Sequence, residues 1–244
     1  MNQKRNRTIT GSLLIITPIL FMTAFTLLQI NFEYPDILRQ PAITVMEKLV
    51  AGGRGLIANW YAMVISAFLF IPIAILLHPF LVNKEQNFMQ VGTVFGITAG
   101  IVEMLGFIRW PFLVPSLAQT YLDPISSEAT RAAIAVTFSA FNQYAGIGIG
   151  EHLGYLFTAL WTILIGIAMM KSPHFRGWLG WGGIFSAVGI LFGLLEPVGV
   201  PLAGLINAFA YIVWAVWMVI VGIFVLRLEN NNFQTEKLRP LCLS

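Results

Sequence analysis

Long apolar runs with very few charges recur along the chain, and most polar residues sit at their ends or in the connections between them. The runs cover about 10–30, 56–82, 89–112, 149–170, 178–198 and 203–226. Each is near or above the ~20 residues that carry a helix across ~30 Å of hydrocarbon. A backbone in lipid must satisfy its own hydrogen bonds, and helices do so within one segment. Barrel strands would alternate apolar and polar positions, and these runs do not. The pattern predicts an all-α, polytopic membrane protein, with residues 1–244 forming one integral domain of six spans.

The connections carry pattern too. In the first, about 31–55, Pro41 is placed to start a short helix that ends at Gly52-Gly53. Ile43, Met46, Leu49 and Val50 are expected on its apolar face, with Glu47 and Lys48 on another. Such a helix suits the membrane interface. In the second, 124–145, Asp123-Pro124 is expected as N-cap and first residue of an interfacial or re-entrant helix. Ile134, Phe138, Phe141 and Ala145 would be its apolar stripe.

Residues 132–150 are also uncharged, which raises the question of a seventh span. Gly146, Gly148 and Gly150 leave almost no loop before the next run. Charge decides the matter: with six spans and both termini inside, cytoplasmic segments hold nine Lys/Arg and outer segments five. A seventh span would leave four inside and ten outside. Positively charged loops favour the cytoplasm, so six spans with two amphipathic outer helices are expected. The basic start, Lys4-Arg5-Asn6-Arg7, precedes a run too long for the core of a signal peptide, so a retained first span is expected.

Composition sharpens this picture. Only 10% of the 244 residues are charged and mean hydropathy is +0.79, whereas soluble domains carry about 25% charge. The net charge of +3 comes from residues at helix ends, including Lys171, Arg176, Arg227, Lys237 and Arg239. These act as topology determinants, and no nucleic-acid partner is expected. A single cysteine, Cys242, excludes an intramolecular disulfide and sits one position too late for a prenylation box ending at Ser244.

Small residues recur every fourth position at Gly92/Gly96/Gly100, Gly150/Gly154 and Gly189/Gly193. Such ridges let helices approach closely, within a bundle or at a homodimer seam.

Chemistry concentrates in Glu103, Arg109, Glu151, His152 and Glu196. On the six-span topology these five reach one outer layer, joined by Asn59, Tyr61 and Asn207. Charge in or near a bilayer is costly, so such groups have partners or a task. Glu103 and Arg109 are six residues apart, about 240° of turn, and do not share a helix face. Glu151 and Tyr155 do. No metal or haem is expected: the spacings H-E-x-x-H and E-x-x-H are missing, and His78, His152 and His174 differ in depth. No lysine lies within a span, which excludes a retinal Schiff base. No nucleophile elbow, phosphate loop or redox pair is present.

At the first outer connection the chain resembles a known family. The run Phe32-Glu33-Tyr34-Pro35-Asp36-Ile37-Leu38-Arg39-Gln40-Pro41 carries the likeness, with Gly52-Gly53 and Trp60-Tyr61. Gly150-Glu151-His152-Leu153-Gly154-Tyr155 and Trp178-Leu179-Gly180-Trp181 extend it over nearly the whole chain. These segments are similar to bacterial integral-membrane proteins catalogued as a domain of unknown function. The resemblance implies six helices in a bacterial cytoplasmic membrane and brings no activity. The leading expectation is an outward-facing site that binds or passes a small polar molecule or lipid headgroup. Glu103, Glu151 and His152 would form its core, Arg109 an anion contact and Glu196 a flank. A scaffold for another membrane protein and an enzyme acting on lipid-linked substrates are the alternatives.

Overall fold

The computed structural model describes residues 3–81 and 88–228. Cys242, Lys237, Arg239 and most of the connection at 83–88 lie outside the described residues. The described chain is all-helical: α1 (Gln3–Phe32), α2 (Ala42–Leu81), α3 (Phe88–Phe107), α4 (Arg109–Leu122), α5 (Glu128–Phe141), α6 (Gly154–Lys171), α7 (Gly177–Leu191) and α8 (Ala203–Arg227). Short 3-10 segments cover Asp36–Arg39 and Phe192–Val198, and a π-helix, Asn142–Leu153, joins α5 to α6. Among the described residues, six helical stretches are long and apolar enough to cross a membrane, as the sequence predicts. Their exposed side chains include Ile16, Phe68, Val94, Phe185 and Val216. Such surfaces suit a lipid bilayer and would associate in water.

Helix α2 runs from Ala42 to Leu81, yet Gly53 interrupts it with φ 55 and ψ −149. A side chain is strained in that left-handed region, and glycine is not. The amphipathic piece before Gly53 buries Val45, Met46 and Leu49. Ile43 and Val50, expected on the same face, are exposed. The buried positions follow i, i+1, i+4 from Val45, which fixes the inward face one residue away from the expected one.

The third span extends past residue 112. It breaks at Ile108, between α3 and α4. Pro111 lacks the N–H that would bond the Phe107 carbonyl, so the ladder is open there. The outer helix begins later than expected, with Ser127 as N-cap and its hydroxyl accepting from Thr130 N at 3.1 Å. Asp123 ends α4 instead, and its carboxylate accepts from Ile125 N at 3.0 Å. No loop follows α5: the helix widens into the π segment and continues as α6, so Glu128–Lys171 is one 44-residue stretch.

The described residues fall into two compact units: one comprises 3–18, 72–81, 88–95 and 159–228, the other 19–71 and 96–158.

In the first unit, buried polar atoms on α8 reach its neighbours. Trp214 Nε1 donates to Thr162 Oγ1 at 2.9 Å, Trp217 Nε1 to the Leu179 carbonyl at 2.7 Å, and Asn207 Nδ2 to the Ile190 carbonyl at 2.8 Å. A Cβ on Gly166 would lie 2.7 Å from the Gly180 carbonyl, so α6 and α7 touch through backbone. Gly189 packs on Ala210 and Gly92 on Leu164. In the second unit Gly100 packs on Ala67 and Ile71, and Gly150 on Gly106. These glycines of the small-residue ridges pack within the chain.

The second unit has an aromatic core. Trp60 and Trp110 stack with centroids 4.6 Å apart and planes 8° from parallel. Phe32 stands edge-on to both, and Tyr34 edge-on to Trp60. Leu28, Met46, Leu49, Val114, Ala118, Ile134 and Phe138 surround them. Edge-on and offset aromatic pairs contribute ~0.5–1.5 kcal/mol beyond burial. This core holds the ends of α1, α2, α4 and α5 around one buried charge.

Candidate functional site

That charge is Arg109, 7% exposed at the first position of α4. Because the helix breaks at Ile108, its guanidinium can turn back on its own chain. Nη1 donates to the Gly106 carbonyl and Nη2 to Asn142 Oδ1 at 3.1 Å. Its Cζ lies 5.1 Å from the centre of the Trp110 ring, a cation–π distance. Gly146, one wide turn beyond Asn142, abuts the guanidinium, and a Cβ there would overlap it.

The junction of α5 with the π-helix forms this arrangement. Ile134, Phe138 and Asn142 are buried at intervals of four along the end of α5, and Phe141 is 47% exposed. The π segment that begins at Asn142 then brings Gly146 against the same guanidinium. Glycine at 106 and 150 completes the approach, since a Cβ on Gly106 would stand 2.6 Å from Gly150 Cα. Pi-helical segments are rare and occur frequently at functional sites.

Tyr34 lies in the connection between α1 and α2 and is buried to 8% exposure. Burial pushes its phenol well above the usual range; the charge of Glu151 pushes it further and that of Arg109 opposes. Tyr34, Arg109 and Glu151 are therefore close enough to feel one another. Glu103 stands apart: its Oε1 accepts from Thr158 Oγ1 at 3.0 Å, beside Gly154. His152 is partly buried at the end of the π segment. Glu196 belongs to the first unit, where its carboxylate faces Gly204. Of the five residues expected from sequence, Arg109 and Glu151 feel each other's charge; Glu103 bonds Thr158 in the same unit, and Glu196 lies in the first unit.

Sequence reasoning missed Asn142, Gly106, Gly146 and the role of Trp60 and Trp110. Asn142 was legible in one respect, as a polar residue at i+4 from Phe138. The tryptophans carried no distinguishing spacing.

Three buried N–H donors around the cluster have no hydrogen-bond acceptor: Arg109 Nε, Trp110 Nε1 and Trp60 Nε1. Leaving such a group unpaired costs ~1–3 kcal/mol, more when it is charged. Among the described residues no three His, Cys, Asp or Glu side chains gather as a metal site would require. Arg109 and its neighbours are donors, suited to an acceptor-bearing molecule.

An all-helical chain with six membrane-length apolar helices is a multi-pass membrane protein. Residues 9–222 match the family described as Domain of unknown function (DUF4386), and the chain belongs to that family. No curated protein and no solved structure matches it.

Proposed function

We propose that the Arg109 cluster binds a small polar molecule with anionic or strongly accepting oxygen atoms, for uptake, export or sensing. The observation that carries this reading is the set of three acceptor-less donors at Arg109, Trp60 and Trp110. An oxyanion would use Arg109 as a charge-assisted donor. Glu151 and Tyr34 would border the ligand, with His152 on the adjoining turn. Glu103 would act as a flanking group and not as a contact. We further propose a bacterial cytoplasmic membrane with both termini cytoplasmic; the nine-to-five distribution of Lys and Arg supports that orientation.

The test is thermal unfolding of the purified protein with inorganic phosphate, succinate, glycine or glucose, beside an Arg109→Met variant. Ligand at one hundred times Kd stabilises by ~2.7 kcal/mol. A saturable rise in Tm with phosphate, succinate or glycine, lost in Arg109→Met, is expected. No rise with any of the four, or an equal rise in the variant, would overturn the reading.

A further inference from the structure

Away from the Arg109 cluster, the second unit carries a groove of about 500 Å³ between the end of α1 and the interruption in α2. Ligand sites typically span ~300–1,000 Å³. One part of its wall is polar, formed by Asn31, Lys48 and Asn59, and another is apolar, formed by Leu27 and Leu56. Gly52 and Gly55 lie on either side of Gly53, so the helix interruption itself opens the groove. A Cβ on Gly55 would meet nothing within 4 Å.

Two features fix the occupant. The first is depth. The groove sits where the charged stretch Glu47–Arg54 gives way to residues 56–77, which hold no Asp, Glu, Lys or Arg. That transition marks the boundary between headgroups and hydrocarbon. Leu27, 43% exposed, continues the apolar wall toward the acyl side. The second is charge. Lys48 Nζ contacts Glu33 Oε1 at 2.5 Å, so cation and anion stand side by side at the rim. Glu33 reaches this position from a left-handed backbone, φ 56, which a non-glycine residue adopts at a cost.

A paired cation and anion repel neither end of a zwitterion. A phosphate can take Lys48 while a primary ammonium takes Glu33, so that each charge exchanges its partner and none is left bare. A trimethylammonium has no N–H to give the carboxylate. An anionic headgroup would leave Glu33 facing like charge.

We propose that this groove binds a glycerophospholipid with a primary-amine headgroup, its phosphate on Lys48, its ammonium on Glu33 and an acyl chain along Leu27 and Leu56. The proposal rests on residues distinct from the Arg109 cluster, and either can fail without the other.

The experiment is native mass spectrometry of the full chain from mixed micelles. These contain equal amounts of phosphatidylethanolamine, phosphatidylcholine and phosphatidylglycerol with identical acyl chains. The ethanolamine lipid is expected to be retained about fivefold over either competitor, the scale of one rim ion pair. Glu33→Gln should remove its advantage over choline, and Lys48→Gln should reduce retention of all three. Gly55→Leu starts its side chain in open space on the groove wall, so it should abolish selective retention without lowering Tm. Equal retention of the three lipids, a preference for the glycerol lipid, or selectivity that survives Gly55→Leu would overturn the proposal.

Discussion

Adding one methyl group at Gly106 separates a built contact from a loose one. Its Cβ would lie 2.6 Å from Gly150 Cα, and the reciprocal Cβ on Gly150 would lie 2.8 Å from Gly106 Cα. The neighbour is backbone on both sides, so no side chain can swing away. Restoring carbon–carbon contact at ~3.5–4.0 Å needs about 1 Å of helix displacement. Overpacking of this kind costs ~1–3 kcal/mol. Replacing glycine by alanine in a helix also returns up to ~1 kcal/mol of propensity. Gly55→Ala isolates that gain, because its methyl group enters open space. Gly106→Ala is therefore expected to be ~1–3 kcal/mol less stable than Gly55→Ala. Thermal or denaturant unfolding in one detergent, followed by far-UV circular dichroism, reads the difference. Equal stability of the two variants would refute the close approach of α3 and the π-helix, and with it the placement of Asn142 against Arg109.

Other consequences follow from single contacts. Asn142→Leu removes the acceptor of Arg109 Nη2 and should lower stability by ~1–3 kcal/mol, measured by the same unfolding. Tyr34 has a raised pKa, so its native state holds the proton longer than the unfolded chain. Its contribution is complete below about pH 10 and declines as pH rises above that value. Tyr34→Phe should thus flatten the fall in Tm between about pH 9 and 11 relative to the parent. Trp217→Phe leaves the Leu179 carbonyl without its donor and should cost about 1 kcal/mol, read as a Tm shift. Glu103→Gln keeps an oxygen for Thr158, so Tm should hold. Any proton-coupled uptake in proteoliposomes should lose its pH dependence.

Much of the architecture was legible in the sequence. Six runs of membrane length, the break at Gly52-Gly53 and the inner packing of the glycine ridges all follow from hydropathy and side-chain size. What escaped detection depends on backbone irregularity. Hydropathy predicts Phe141 inside, whereas the end of α5 buries Asn142, where the π segment begins. No composition marks a π-helix, since it arises from tertiary demands such as the Gly106–Gly150 contact. Arg109 was visible as a charge, but its partners lie 3 and 33 residues away in opposite chain directions. Glu103 and Glu196 share an expected depth with Arg109, and depth alone does not specify which helix faces meet.

The most direct test of the binding site uses the indole N–H groups themselves. The protein, with its seven tryptophans, is labelled with ¹⁵N-tryptophan, and Trp60→Phe and Trp110→Phe variants assign two of the signals. It is then titrated with phosphate, succinate and glycine. One of these compounds is expected to shift the Trp60 and Trp110 indole signals downfield together and saturably, as new hydrogen bonds form, and Arg109→Met is expected to abolish the shift. Signals from Trp60 and Trp110 that stay fixed with all three compounds would contradict the proposed site.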